Sequence, residues 1–482
     1  MTLNDALAVS PLIIPCIAIV LIMLLIATVR SHILTVSTTL VSLFVSFILV
    51  FVSYDSHPQQ ITQLLIMDGY AYFYIALIYA ATMVVCTLSY GYLRHANVAR
   101  EEYYLFLLST ALGGAVLVSS SHFVSLFIGI ELLSLSLYVL IAYAGTKLNT
   151  EAGIKYFIMT AVSMAFLLFG IALVYAASGS LKFADVSNDL LRTGRDSSLL
   201  YLAGIVLIFV GIGFKLAFVP FHLWIADIFE GASAPVAAFL GTVSKGAVFA
   251  VFMRYFFGMK VLTHHSVYFI FTVVAIVSMF LGNITALLQS NIKRILGYSS
   301  IAHFGYLLVI LIAGNSLGVA AGTFYLTAYF ITMLVAFGVI GCLSKEGTDL
   351  NSMEDYSGMA FRHPFYACLL TVSMLSLAGI PLTAGFIGKF LLITAGVNAK
   401  LWGLLIILII NSVIGLFYYL RIIISLYTKS LTKDGMSRKE PHGCPSFSWI
   451  GFSSLMVLLF FLIYLGLYPN PLIMLIQKLI HS

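Results

Sequence analysis

A chain of 482 residues that is 61% hydrophobic and only 9% charged, with a mean hydropathy of +1.08, lies outside the range of soluble domains, which carry about 25% charged residues. Too little polar surface remains to cover so much apolar side chain in water, so the sequence specifies an all-α polytopic membrane protein whose first partner is the lipid bilayer. The net charge of +6 comes mostly from basic loops, and no nucleic acid is expected to bind.

A bilayer-crossing helix needs about 20 apolar residues, and about fourteen such runs follow one another along the chain. The first four lie near 9–29, 33–53, 68–90 and 102–119. The next five fall near 121–143, 151–178, 199–226, 235–258 and 266–288. The last five are near 295–313, 317–343, 364–397, 402–427 and 449–475. The first run has no basic stretch before it and no small-residue cleavage site, so it reads as a retained span. Short polar segments separate the runs, such as YDSHPQQITQ at 54–63 and TKSLTKDGMSRKEPHGCPS at 428–446. With the N-terminus outside, the inward loops hold cations such as Arg30, Lys155, Lys293, Arg294 and Lys345. The outward side holds fewer, among them Lys182, Arg254 and Lys478. Positively charged loops stay inside, so both termini are expected on the outer side.

Four cations remain at membrane depth: Lys215, Lys245, Lys389 and Arg421. Glu131 is the acid clearly inside a span, and His303 lies in the tenth. A charge at this depth costs at least about 2.5–3.5 kcal/mol, so it persists where it meets a partner or water. Glu131 shares a helical face with Ser134 and Tyr138, and Lys215 shares one with Gly211 and His222, which makes His222 a possible accessory. Arg421 is near enough to an inner end to snorkel, and Asp227 and Glu230 read as the boundary of the seventh span. The competing structural reading of Glu131 and Lys215 is a static ion pair; Lys245 and Lys389 have no evident acid to pair with. GIGFKL at 211–216 and GFIGKF at 385–390 each set a lysine four residues after a glycine, with Pro220 following one lysine and Pro381 preceding the other. Proline removes a backbone donor, so each is expected to break its helix and act as a hinge beside a hydrated cavity. Such interruptions in corresponding halves accompany inverted repeats, here spans 4–8 against 9–13.

The five cysteines are scattered, no Cys/His cluster has metal-ligand spacing, and no glycine-rich nucleotide loop is present. A row of amines without a nucleophile or cofactor motif suits proton transfer. Burial and a neighbouring carboxylate act oppositely on an amine, so moving Glu131 relative to Lys215 loads and unloads a proton. A potential near ~150–200 mV is worth roughly 4 kcal/mol per proton. A change of about three pKa units in one group supplies the same.

FKLAFVPFHLWIADIFEGASAPVAAFL, RILGYSSIAHFGY, EDYSGM with RHP at 362–364, and LSLAGIPLTAGFIGKF resemble the antiporter-like subunits of respiratory complex I, over almost the whole chain. The resemblance implies fourteen helices with inverted five-helix repeats and the seventh and twelfth broken. Helices 1–3 then fall in 1–101, the first repeat in 102–258, the second in 259–427, and a loop with the last helix in 428–482. It implies that Glu131 is the helix-5 glutamate and Lys215 its partner. Lys245 becomes the central lysine, His303 the histidine of the YSSIAH motif, and Lys389 the terminal lysine leading outward. Lysine at 389, and the lack of a long lateral helix after the core spans, set the chain apart from two branches of the family. The implied activity is proton translocation in a bacterial inner membrane, coupled to quinone reduction by NADH elsewhere in the complex. Flavin, iron–sulfur clusters and quinone are then expected in partner subunits, with no cofactor or metal in this chain. The expected partners are other membrane subunits, including a subunit M-like one and small membrane subunits. A subunit of a multisubunit sodium/proton antiporter or of a membrane-bound hydrogenase, and a purely structural scaffold, are the alternatives.

Overall fold

In a computed structural model, which describes residues 3–54, 59–94, 99–186, 199–258, 265–344, 349–428 and 449–481, thirteen helices are long and apolar enough to cross a membrane. A fourteenth crossing, the twelfth in order, is split into Pro364–Ala378 and Ala384–Asn398. The first three spans are Leu3–Thr28, His32–Ser53 and Gly69–Arg94. The fourth to sixth are Glu101–Val118, Phe123–Ala142 and Lys147–Ser178. The seventh runs over Leu199–Leu216, unwinds, and resumes as Ile225–Gly231. The eighth starts as Ala234–Phe239, widens into a π turn at Leu240–Ser244, and continues as Lys245–Gly258. The ninth to eleventh are His265–Leu287, Ile292–Ala313 and Ser316–Leu343. Trp402–Tyr427 and Trp449–Leu467 are the last two.

Two sequence boundaries move. The run at 449–475 is not one span: it ends at Leu467, and a separate helix, Asn470–His481, begins beside Pro469 and Pro471. Proline lacks the N–H that the ladder needs, which ends the span there. The helical part of the seventh run also stops earlier than expected, at Leu216. The one sheet among the described residues is a two-stranded hairpin, Gln59–Gln60 with Ile66–Met67.

Backbone groups freed by proline inside lipid must find other partners. Pro11 and Pro15 lie within the first span and orphan the carbonyls of Leu7 and Pro11. Ser53 Oγ donates to Leu7 O at 2.9 Å, and Tyr79 Oη donates to Pro11 O at 2.9 Å. A helix end is repaired in the same way before the eighth span: Gly231 closes the helix Ile225–Gly231, and Asn149 Nδ2 donates to its carbonyl oxygen at 2.6 Å. Glycines let backbones approach: a Cβ on Gly113 would lie 2.5 Å from Leu133 N, and one on Gly282 would lie 2.7 Å from Ala302 N. These close pairings, span 4 on 5 and span 9 on 10, follow the small-residue rule for membrane helices. The eighth, tenth and eleventh spans are buried nearly all round and form the centre of the bundle.

Contacts between span ends keep a strict alternation of faces. On one face Arg30 pairs with Glu102 at 3.2 Å, and Asp227 with Lys155 at 2.9 Å and Arg294 at 2.8 Å. Arg294 also reaches Glu230 at 2.7 Å, so both acids of the seventh-span boundary clamp the tenth span. On the other face Asp68 pairs with Arg254, and Leu65 and Ser120 bridge. Several cations assigned to loops lie instead in helices, among them Lys155, Arg254, Lys293, Arg294 and Lys478. Lys293 is buried against Asp349 at 2.6 Å, and Arg254 is partly buried. Cys444 and the loop cations Arg192, Arg195, Lys260, Lys345, Lys429, Lys433, Arg438 and Lys439 lie outside the described residues. The EDYSGM motif forms a capped 3-10 turn, Met353–Tyr356, with Met353 N donating to Ser290 O at 3.0 Å. Gly358 N donates to Ser425 O at 3.2 Å, so the loop ties the ninth–tenth connection to the thirteenth span.

Candidate functional site: a row of buried amines

Lys215 is the last residue but one of the helix Leu199–Leu216, and it is buried. The helix closes in a left-handed cap: Phe218 N donates to Gly213 O at 2.9 Å and Ala217 N to Phe214 O at 3.2 Å, with Ala217 at φ 60°. The unwound stretch 217–224 contains Pro220, preceded by a cis peptide bond, and side chains satisfy the backbone groups at the break. Trp224 Nε1 donates to Phe214 O at 3.0 Å, and Val219 N donates to Ser278 Oγ at 3.0 Å. The ammonium of Lys215 donates to Ser134 Oγ at 2.6 Å and Thr160 Oγ1 at 3.2 Å, and lies 5.4 Å from the Tyr156 ring centre. A cavity of about 10 Å³, room for a single water, touches Lys215, Thr160, Ser163 and Trp224.

Glu131 lies on the fifth span, three residues before Ser134, and is only partly buried. Among the described residues no ion pair joins it to Lys215, so the static pair is not what holds these helices. His222 does not share a helical face with Lys215, because the helix ends between them. Its Nδ1 is buried without a hydrogen-bond partner, and no hydrogen bond links it to the lysine.

Lys245 follows the π turn Leu240–Ser244 and is fully buried in the eighth span. Its ammonium donates to Ser300 Oγ at 2.9 Å and lies 4.9 Å from the Phe304 ring centre. Ser300 and His303 are one turn apart on the tenth span. His303 stands between two tyrosines, with Nδ1 2.6 Å from Tyr325 Oη and Nε2 3.0 Å from Tyr419 Oη. Beyond it, a second cavity of about 10 Å³ touches His303, Tyr325, Tyr329, Ser376 and Lys389.

The twelfth span breaks between Ala378 and Ala384, around Gly379, Pro381 and Leu382. Gly379 N donates to Ser376 O and Ile380 N to Leu375 O, both at 3.0 Å, which repeats the cap of the seventh span. Lys389, one turn into the second half-helix, folds back and donates to Ala378 O at 2.9 Å. Its charge thereby sits at the carboxyl end of the first half-helix, where the helix dipole favours a cation. Arg421 is different: its guanidinium donates to Leu287 O at 3.0 Å and to Gln289 O, capping the ninth span.

The structure therefore joins Lys245 to His303 through the tenth span, and His303 to Lys389 through a shared cavity. It sets Lys215 beside Ser134, close along the helix to Glu131. The hydroxyls of Ser134, Thr160, Ser300, Tyr325 and Tyr419 complete the row. Of these only Ser134 and Ser300 carried a sequence signal, as polar residues beside a charged one on an apolar helix. Among the described residues no three of His, Cys, Asp and Glu converge in a metal-binding group.

Fold and site define a polytopic helical membrane protein holding three buried, unpaired lysines and a histidine between two broken helices. Residues 120–415 match the family described as NADH:quinone oxidoreductase/Mrp antiporter, TM. Over 488 residues the chain is 45% identical to NADH-quinone oxidoreductase subunit N of Ectopseudomonas mendocina (strain ymp), covering 99% of this chain and 97% of that protein. Among solved structures it is 29% identical to a chain of respiratory complex I from Thermus thermophilus with bound aureothin. That match has a TM-score of 0.81 and covers 96% of this chain and 98% of the other. A chain of the archaeal membrane-bound sulfane sulfur reductase (22% identical, TM-score 0.84) and one of the Mrp complex from Dietzia sp. DQ12-45-1b (18%, 0.84) share the fold. They cover 99% and 100% of this chain, and 97% of each of those chains is covered in return. The chain belongs to the NADH:quinone oxidoreductase/Mrp antiporter transmembrane family.

Proposed function

We propose that this chain moves protons across the membrane as a subunit of an NADH:quinone oxidoreductase, along Glu131, Lys215, Lys245, His303 and Lys389. One observation carries the reading: each buried lysine of the row is held by a neutral oxygen rather than a carboxylate. A carboxylate would lock the amine in its charged form. Ser134 and Ser300 give their own hydrogens to Ile130 O and Gly297 O and present a neutral acceptor to the lysine, to which an ammonium or a free amine can each donate. His303 has a tyrosine hydroxyl at each ring nitrogen and is served in the same way. Charge shifts in Glu131 act on Lys215 at the start of the row, and Lys389 forms its outward end. Pro220 and Pro381 mark the hinges, and His222 is an accessory of the first.

The supporting division of the chain is helices 1–3 in 1–101, repeats in 102–258 and 259–427, and a last loop and helix in 428–482. The similar placement of the two capped breaks favours it. The chain is a multi-pass membrane protein that works with other membrane subunits. The positive-inside bias favours a periplasmic side for both termini in a bacterial inner membrane. A subunit M-like neighbour and small membrane subunits are the partners we infer, with flavin, iron–sulfur clusters and quinone held outside this chain.

Lys215→Ala or Lys389→Ala in the assembled oxidoreductase, followed by NADH-driven acidification of vesicles, tests the relay. Acidification is expected to be abolished or sharply reduced. Normal pumping by either variant removes the proposal. Sodium-dependent exchange in vesicles without NADH dehydrogenase would transfer the chain to the antiporter reading.

A further inference from the structure

Asn283 lies on the ninth span, buried among Tyr306, Asn411 and Tyr418 of the tenth and thirteenth. Its amide nitrogen faces three acceptors: Met279 O at 2.9 Å, Tyr306 Oη at 3.1 Å and Asn411 Oδ1 at 3.3 Å. An amide nitrogen has two hydrogens to give. One belongs to Met279 O, a turn back in the same helix, and this contact also fixes which end of the amide is nitrogen. Turned over, the side chain would set oxygen against oxygen. The other hydrogen serves Tyr306 or Asn411, and not both well.

The surroundings leave only that choice open. Tyr418 Oη donates to Asn283 Oδ1 at 2.9 Å, and Asn411 is pinned by its own Nδ2 on Ile407 O at 2.9 Å. A Cβ on Gly415 would press within 3.3 Å of Asn283 Oδ1 and 3.4 Å of Tyr418 Oη. Tyr306 carries the choice to the amines. Its ring centre lies 5.5 Å from Lys389 Nζ, and it meets the His303 ring edge to face at 5.7 Å.

We propose that Asn283 is a positioning residue for Lys389: its second N–H, shared between Tyr306 and Asn411, holds or releases the ring on which the Lys389 ammonium rests. The inference rests on the proton-relay reading and adds a two-position element at its terminal lysine. With the N–H on Tyr306, the ring is held beneath the ammonium. With the N–H on Asn411, the ring is free, and the amine turns into the adjoining cleft of about 260 Å³ lined by Phe386, Phe390 and Ser412. Ser412 Oγ is buried at the edge of this cleft, beside the Tyr306 hydroxyl, and is an acceptor for the turned amine.

The test uses vesicles carrying the assembled oxidoreductase, with protons moved per NADH oxidised measured as a function of pH. The variants are Asn283→Leu, Tyr306→Phe, which keeps the ring and its packing, and the two combined. Each single change is expected to lower the ratio about two- to fivefold, the size of one weakened cation–π contact, and to displace the pH profile. The double variant is expected to be no worse than either single one, because both remove the same bond. Either variant with the parent's ratio and profile overturns the inference. So do additive losses, or a loss confined to the amount of assembled complex. Lys389→Ala separates the two levels. If it lowers the ratio while Asn283→Leu does not, only the inference falls; if it pumps normally, the relay reading falls with it.

Discussion

Lysine has two uses in this chain, and the partner atom tells them apart. Lys293 and Lys155 meet carboxylates, at 2.6 Å from Asp349 and 2.9 Å from Asp227, and form structural ion pairs. Lys215, Lys245 and Lys389 meet neutral hydroxyl or carbonyl oxygens, to which an ammonium or a free amine can each donate. The Asp68–Arg254 pair is the structural case that pH can reach. Arg254 donates to both carboxylate oxygens, at 2.8 and 2.7 Å, and packs on Tyr70. Burial alone would raise the Asp68 carboxyl; the guanidinium and the Ala71 N–H outweigh it and hold the carboxyl below the usual carboxylate range. A depressed carboxyl contributes stability that is full above its unfolded value near ~3.9 and is lost as pH falls through the folded value. Asp68→Asn leaves Arg254 without a counter-charge, so it is expected to cost about 3 kcal/mol at neutral pH. The gap to the parent should close in acid, which thermal unfolding at neutral and acidic pH would reveal; an equal gap at both would refute the linkage.

The two broken helices end in the same cap with different residues at its left-handed position. Ala217 occupies it in the seventh span at a cost of roughly 1–2 kcal/mol for a residue with a Cβ. Gly379, at φ 82° in the twelfth, avoids that cost and also makes room, since a Cβ there would lie 2.7 Å from Lys389 Cδ. Gly379→Ala is therefore expected to destabilise the break by about 1–2 kcal/mol and to displace Lys389 from Ala378 O, lowering proton pumping. Pumping per NADH with a melting curve of the same complex checks both; unchanged pumping would show that Lys389 does not need this seat. Proline at 220 and 381 made both interruptions legible, because a missing N–H is a property of the residue itself. The π turn before Lys245 was not legible. One extra residue in a helical turn leaves no mark on composition. Nor did the pattern of apolar residues announce that the seventh helix ends at Leu216, since that end depends on Trp224 folding back within the unwound stretch and on Ser278 of the ninth span.

At the scale of the molecule, ion pairs and bridges gather Arg30, Glu102, Lys155, Asp227, Arg294 and Asp349 on one face, and Asp68, His122, Lys182 and Arg254 on the other. In the orientation proposed above, the first face is the inner one. Lys182→Cys is then expected to react with a membrane-impermeant maleimide in intact cells, and Glu151→Cys, one turn before Lys155 and paired with it at 2.8 Å, only once the membrane is opened. The reverse pattern would invert the orientation. Sequence by itself determined the span count, the split crossings and the identity of the charged groups at depth. Each of these follows from transfer energy or from the covalent nature of proline, which do not depend on neighbours far along the chain. The tertiary structure alone decided what each charge touches. Glu131 and Lys215 form no direct pair, His222 falls off the helical face it was read onto, and Asn283 meets Tyr306 across two spans. Hydrogen bonds reach only about 3 Å, so which oxygen lies within range of an amine is settled by how helices distant in sequence pack.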